Sequence, residues 1–203
     1  VIYSVGAGDE PSSCMELIEF VSALGLPIVA AGKGKNNPLR HDAVPDDYRA
    51  EAERRNMNPR MLVEFVDGSK TMVEMCAIAN ATGLVPDVPG MHGPAADRDD
   101  MAKVLIPRED GGILGKMGVV DFTVGKGVAP GVFVIVKATH PRIIERMDDL
   151  HIGHGPYYSF FRPYHLTSLE VPLTCARIML QGKPDMVPLP RPVAEVCAVA
   201  KRD

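Results

Sequence analysis

VIYSVGAGDEPSSCMELIEFVSALGLPIVAAGKGKNNP, residues 1–38, carries the pattern that sets the fold class. Val1–Val5 reads as a short strand, and Gly6, Gly8 and Pro11 as the turn after it. Ser13 and Glu16 have capping-box spacing, which places a helix start near Ser13. Leu17, Ile18, Val21 and Leu24 give that helix one apolar face, and Gly25 suits its C-terminal cap. Pro27–Ala31 reads as a second strand. A strand–helix–strand order favours a parallel sheet with a right-handed crossover. The expected fold is therefore α/β, with residues 1–32 as the remnant of a Rossmann-type parallel sheet and an α+β region after it. The G-A-G-D turn is not the GxGxxG fingerprint. Gly6, Gly8 and Gly32 are the candidate contacts if a nucleotide cofactor touches this region.

Outward from this stretch, composition narrows the class. Hydrophobic residues at 46% and charged residues at 24% describe a globular chain rather than a disordered one. The net charge is -4 and no basic block appears, so no nucleic-acid partner is expected. No apolar run reaches the roughly 18 residues of a membrane helix. Cys14, Cys76, Cys175 and Cys197 lack metal-ligand spacing, and three lie in apolar helical patterns. They read as reduced core residues of a cytoplasmic protein.

The chemistry-bearing segments come next. Gly32-Lys33-Gly34-Lys35-Asn36-Asn37-Pro38 follows an apolar strand, and ligands of open α/β sheets sit beyond strand carboxyl ends. Lys33, Lys35, Asn36 and Asn37 could surround an oxyanion with ammonium and amide donors. The alternative is an ordinary solvated turn. After a polar helix over Asp46–Arg55, Met61–Val66 reads as a strand and Asp67-Gly68 as a turn. Thr71 and Glu74 have capping-box spacing at the start of a helix that reaches Thr82, with Gly83 as its cap. That helix is apolar nearly all round, so Lys70 and Glu74 must pair or face a polar cavity. Either they form an i,i+4 surface pair, or Lys70, Asp67 and Glu74 border a substrate pocket. Glu74 as the capping partner of Thr71 competes with the second role.

Pro86–Pro94 is a rigid loop holding His92, and a short helix follows over Arg98–Leu105. Val119–Val124 and Gly131–Val136 read as the strands of a hairpin. A helix near Pro141–Asp148 leads into HIGHGPYYSFFRPYH, residues 151–165, which holds three of the six histidines and three of the five tyrosines. His151, His154, Tyr157, Tyr158, Arg162, Tyr164 and His165 present donors to hydroxyls and phosphate from an apolar body. The alternative is an aromatic cover over the core, with Arg162 paired to Glu170. The glycines and Pro156 argue against a zinc helix at His151 and His154, and no metal is assigned. A last helix spans Leu169–Gln181, a Pro-rich linker spans Pro184–Pro192, and Val193–Val199 reads as a further strand.

Five segments carry a family resemblance: AAGKGKNNP at 30–38, NPRMLVEFVDGSKTMVEM at 58–75, NATGLVPDVPGMHGP at 80–94, VAPGVFVIV at 128–136 and GPYYSFFRPYHLTSLEVPL at 155–173. Together they resemble the DRL family, the reductoisomerase-like oxidoreductases related to homoserine dehydrogenase. The resemblance implies a Rossmann NAD(P) domain before this region and a small SAF domain after it. Residues 33–185 would then be the catalytic domain, and 186–203, containing PVAEVCAVAKRD, the linker and SAF entry. It further implies NADPH-dependent conversion of a small sugar phosphate such as 1-deoxy-D-xylulose 5-phosphate, in isoprenoid precursor synthesis. In that reading Lys33, Lys35, Lys70, Asp67 and Glu74 are catalytic. Asn36, Asn37, His92 and the 151–165 donors bind substrate, and Asp67 with Glu74 could help hold a divalent cation. A homo-oligomer is expected. A homoserine-dehydrogenase-like reductase of another polar carbonyl, and a non-catalytic binding or dimerisation module, stand as alternatives.

Overall fold

The computed structural model describes residues 2–198 and shows a mixed α/β fold around one five-stranded sheet. Its strands are β1 (Ile28–Lys35), β2 (Val85–Pro86), β3 (Val119–Val124), β4 (Val132–Lys137) and β5 (Tyr157–Arg162), ordered β2-β3-β1-β4-β5. β1 pairs parallel with β3 and antiparallel with β4. The helices are α1 (Glu10–Ala23), α2 (Arg49–Arg54), α3 (Pro59–Asp67), α4 (Ser69–Thr82), α5 (Met101–Val104), α6 (Pro141–Asp149) and α7 (Val171–Gln181). α1 and α4 pack on one face of the sheet, where Cys14, Ile18, Val21, Met75 and Ile78 meet Ala31, Val134 and Tyr158. On the other face Met101, Leu105 and Leu114 cover Val29, Phe133 and Ile135.

β1 sits at the sheet centre, so the strand crosses the 32/33 boundary drawn from the sequence. It also separates β3 from β4, which therefore form no hairpin. Gly34 makes the crossing possible. The 125–131 loop lies across the end of β1, with the Val128 backbone where a Gly34 side chain would stand. The Gly34 amide donates to Gly131 O at 3.0 Å.

Three other expectations change for local reasons. Residues 61–66 are helical within α3, not a strand. Asn58 caps it by accepting from the Arg60 amide at 2.9 Å, and Pro59 occupies the first turn. Leu62, Val63 and Val66 then share the buried side. α1 begins at Glu10 rather than near Ser13, and Ser13 bonds Arg162 instead of capping. No strand forms over Ile2–Val5, so the expected strand–helix–strand unit is absent, and Val1 lies outside the described residues. The Ser4 hydroxyl there donates to Asp185 Oδ2 at 2.9 Å. Residues 193–198 form no strand either, and 199–203 lie outside the described residues. Asn80 holds that segment, accepting from the Val193 and Ala194 amides at 2.8 and 3.1 Å. All four cysteines are free, but Cys175 and Cys197 are exposed rather than in the core. No helix among the described residues is long and apolar enough to cross a membrane.

Candidate active site

Alternation along β1 puts Ala31, Lys33 and Lys35 on the face covered by α1 and α4. α1 supplies Glu10 from its first residue, and α4 supplies Lys70 and Glu74 from its first two turns. The four side chains form one network. Lys33 Nζ donates to Glu10 Oε1 at 2.8 Å and to Glu74 Oε2. Lys70 Nζ lies 3.0 Å from the same Glu10 oxygen and 3.3 Å from Glu74 Oε1. His165 Nε2 approaches Glu10 Oε1 at 3.6 Å. The side chains of Glu10, Lys33 and Glu74 are each at most 10% exposed, against 36% for Lys70. Lys35 Nζ donates to Phe65 O.

Burial penalises every charge here, and the network decides which survive. At Glu10, burial works against ionisation, but Lys33 and Lys70 hold the carboxyl well below the usual range. Glu74 is pushed up to about 7, by burial first and by the Glu10 charge, with Lys33 opposing. Burial and the neighbouring Lys33 charge lower Lys35. At Lys70 burial lowers, but Glu74 and Glu10 win and raise it. Glu74 thus holds in the native state a proton that the unfolded chain releases above its ordinary 4.5. A raised carboxyl contributes stability that is present below the unfolded value and lost as pH rises through the folded one. Stability is therefore expected to fall between pH 4.5 and 7, by up to about 3 kcal/mol from this group. Urea unfolding across that window checks it: Glu74→Gln should flatten the slope, and an unchanged slope would assign it elsewhere.

Above the network lies a cavity of about 330 Å³, lined by Lys33, Lys35, Asn36, Asn37, Arg55 and His165 among others. The structure thus brings together Lys33, Lys35, Asn36, Asn37, Lys70, Glu74 and His165. Glu74 does not cap α4. The Ser69 amide at the start of α4 donates instead to Asp67 Oδ1 at 2.8 Å, and Glu74 accepts from Lys33. No cluster of three or more His, Cys, Asp or Glu side chains among the described residues is arranged to hold a metal ion.

The remaining candidates lie apart. His92 Nε2 contacts Asp87 Oδ2 at 2.7 Å, in the loop between β2 and α5. His151, His154 and Tyr157 line a separate cavity with Arg98 and Lys103. The Tyr157 hydroxyl donates to Asp110, and that of Tyr158, fully buried, to Asp148 at 2.6 Å. Arg162 donates to Ser13 Oγ and to Glu170 Oε2 at 2.6 Å, with its guanidinium over the Tyr164 ring. This is the pairing with Glu170 raised as the alternative.

A family model described as the catalytic domain of oxidoreductase DRL matches residues 8–171. The chain belongs to the DRL oxidoreductase family. No curated protein matches it.

The DRL catalytic domain contains one central residue that sequence reasoning passed over. Glu10 touches Lys33, Lys70 and His165, yet in Asp9-Glu10-Pro11 it looks like an ordinary acidic residue in a first helical turn. Its only local signal was that position, beside the turn that Gly8 closes. Arg55, on the cavity wall, was also missed.

Gly6, Gly8 and Gly32 are the candidate contacts for a nicotinamide nucleotide, and Gly8 and Gly32 do not fit one. The Ala7 amide donates to Thr174 Oγ1 at 2.7 Å, and the Asp9 amide to Gly6 O at 3.2 Å. A side chain on Gly8, whose φ is +87°, would stand 2.6 Å from Thr167 N. Gly32 lies inside the sheet against Asp121. Gly8 and Gly32 thus serve close protein packing, and the Ala7 and Asp9 amides are already taken.

Proposed function

We propose that the Lys33–Lys35 cavity binds a small phosphorylated carbonyl compound, of the class of 1-deoxy-D-xylulose 5-phosphate. The enzyme in this reading is an NADPH-dependent oxidoreductase of reductoisomerase type, serving isoprenoid precursor synthesis in the cytoplasm. One observation carries it: a small cavity at a strand's carboxyl end, walled by cations, sits over a buried lysine–carboxylate network. Lys33, Lys35, Arg55 and Lys70 line it against the single carboxylate of Glu10. That balance favours a dianionic ligand. Lys35, Asn36, Asn37 and Arg55 bind the phosphate. Lys33, fixed by two carboxylates, stabilises oxyanion charge that develops during a retro-aldol and aldol rearrangement. His165 contacts the sugar hydroxyls. The reductant is NADPH, and the described residues bind and orient the substrate, stabilise its charge and supply a proton. Leu169, Leu173, Met179 and Leu180, all more than half exposed on or beside α7, support a homo-oligomer.

A reductase of an unphosphorylated polar carbonyl is favoured by one detail, that the Lys35 ammonium already bonds Phe65 O. Steady-state kinetics of the full-length protein, with NADPH and paired phosphorylated and unphosphorylated carbonyl substrates, separates the two. Lys35→Ala is expected to lower kcat/KM for the phosphorylated member by at least about tenfold, or about 1.4 kcal/mol. It should barely change the other. Full activity in this variant would take Lys35 out of the substrate site.

A further inference from the structure

The buried charge network has two sides. Glu10, Lys33 and Lys35 face the cavity just described. Glu74 faces a second cavity, of about 560 Å³, lined by Asp9, Pro11, Glu64, Ser69, Val73 and Ala77 among others. Lys70 lines both. Lys33 joins the two sides, since its ammonium bonds Glu10 and Glu74 at once. The wall between the cavities is thus a row of ionisable groups in hydrogen-bond contact, running from Glu10 through Lys33 to Glu74.

We infer that this row is a proton path, and that Glu74 is the port through which the substrate cavity exchanges protons with solvent by way of the second cavity. The inference rests on the proposed reaction only in that carbonyl reduction takes up a proton. The steps balance without any further reagent. The Lys33 ammonium gives a proton to an oxygen in the substrate cavity and takes one from the Glu74 carboxyl. Glu74 regains its proton from water in the second cavity. Lys35 and His165 also face the row, Lys35 bonded to Phe65 O and His165 3.6 Å from Glu10 Oε1, and neither is hydrogen-bonded to Glu74. Glu10 is held ionised by Lys33 and Lys70, so it fixes Lys33 but seldom carries the proton onward. Lys70 is held charged by the same carboxylates. Glu74, close to neutral in its proton affinity, takes and releases a proton most readily. Asp9 and Glu64 at the second mouth attract hydronium and protonated buffer. Sealed under a bound substrate, the first cavity needs such a back entrance. Glu74 is accordingly a positioning residue that acts through Lys33.

The test reads exchange of the Lys33 ammonium protons with solvent, by ¹⁵N NMR on the full-length protein carrying Asn37→Trp, which crowds the substrate cavity as a bound substrate would. Val73 is 58% exposed, so Val73→Trp narrows the second mouth without entering the core. Adding Val73→Trp or Glu74→Gln to Asn37→Trp is expected to slow exchange at least tenfold. Ala77→Leu replaces Val73→Trp if the latter misfolds. Exchange unchanged with the second mouth narrowed, or unchanged on adding Glu74→Gln, overturns the inference. Because no substrate is used, inactivity toward phosphorylated carbonyls would sink the proposed reaction and leave this result standing.

Discussion

Lys33→Met in the full-length protein is expected to cost about 3–5 kcal/mol of stability and at least about a hundredfold in kcat. The stability loss follows from the two carboxylates that share its ammonium. Without it, Glu10 and Glu74 remain buried and face each other with only Lys70 between them. One carboxyl must then bind a proton, so the variant should recover stability as pH falls. Lys33→Met combined with Glu74→Gln removes the orphaned charge and should regain at least half of the loss. Activity should not return, because the cation at the reacting oxygen is still missing. Chemical denaturation and steady-state kinetics of both variants decide it. If Lys33→Met is as stable as wild type, the network is a surface-like pair despite its burial. If the double variant regains activity, Lys33 is scaffold alone.

Arg162→Met is expected to be the second large effect, and to fall on stability rather than on ligand binding. Arg162 ties β5 to α1 through Ser13 and to the turn before α7 through Glu170. Glu170 is itself buried and also accepts from the Leu166 amide at 2.8 Å. Burial works against its charge, but Arg162 and that amide hold it below the usual carboxylate range. Losing the guanidinium strands that carboxylate, at about 3–5 kcal/mol. The affinity of a phosphorylated inhibitor should change less than threefold by calorimetry. A large loss of inhibitor affinity at unchanged melting temperature would put Arg162 in the substrate site.

How much of this was legible in sequence depends on how local each signal was. Lys33, Lys35 and the amides after them were readable because an apolar strand ended in donors. Lys70 and Glu74 stood out as charges on an apolar helix. Glu10 did not, because what distinguishes it is contact with Lys33, Lys70 and His165, none of them a sequence neighbour. In the 151–165 segment the donor types were legible but not their partners. Asp110, Asp148 and Glu170 take up Tyr157, Tyr158 and Arg162, leaving His165 as the member that reaches the lysine cavity. Among the elements, α4, α6, β3 and β4 follow from periodicity. Residues 61–66 look like a strand by composition, but the Asn58-Pro59 start makes them helix. The β3–β4 hairpin failed because nothing local announces that β1 will insert between two strands later in the chain.

That insertion has a consequence for how the chain is made. β1 leaves the ribosome well before either neighbour, since β3 begins at Val119 and β4 ends at Lys137. At usual synthesis rates of about 5–20 residues per second, the interval is roughly 5–20 s. Throughout it, a strand destined for the sheet centre has both edges free, the situation in which nascent chains pair with one another. Two of its eight residues are Lys33 and Lys35. Until Glu10 and Glu74 are in place, those ammonium groups repel the same strand on a neighbouring nascent chain. The residues assigned to the chemistry of the finished protein therefore also act as gatekeepers against aggregation while it is being built.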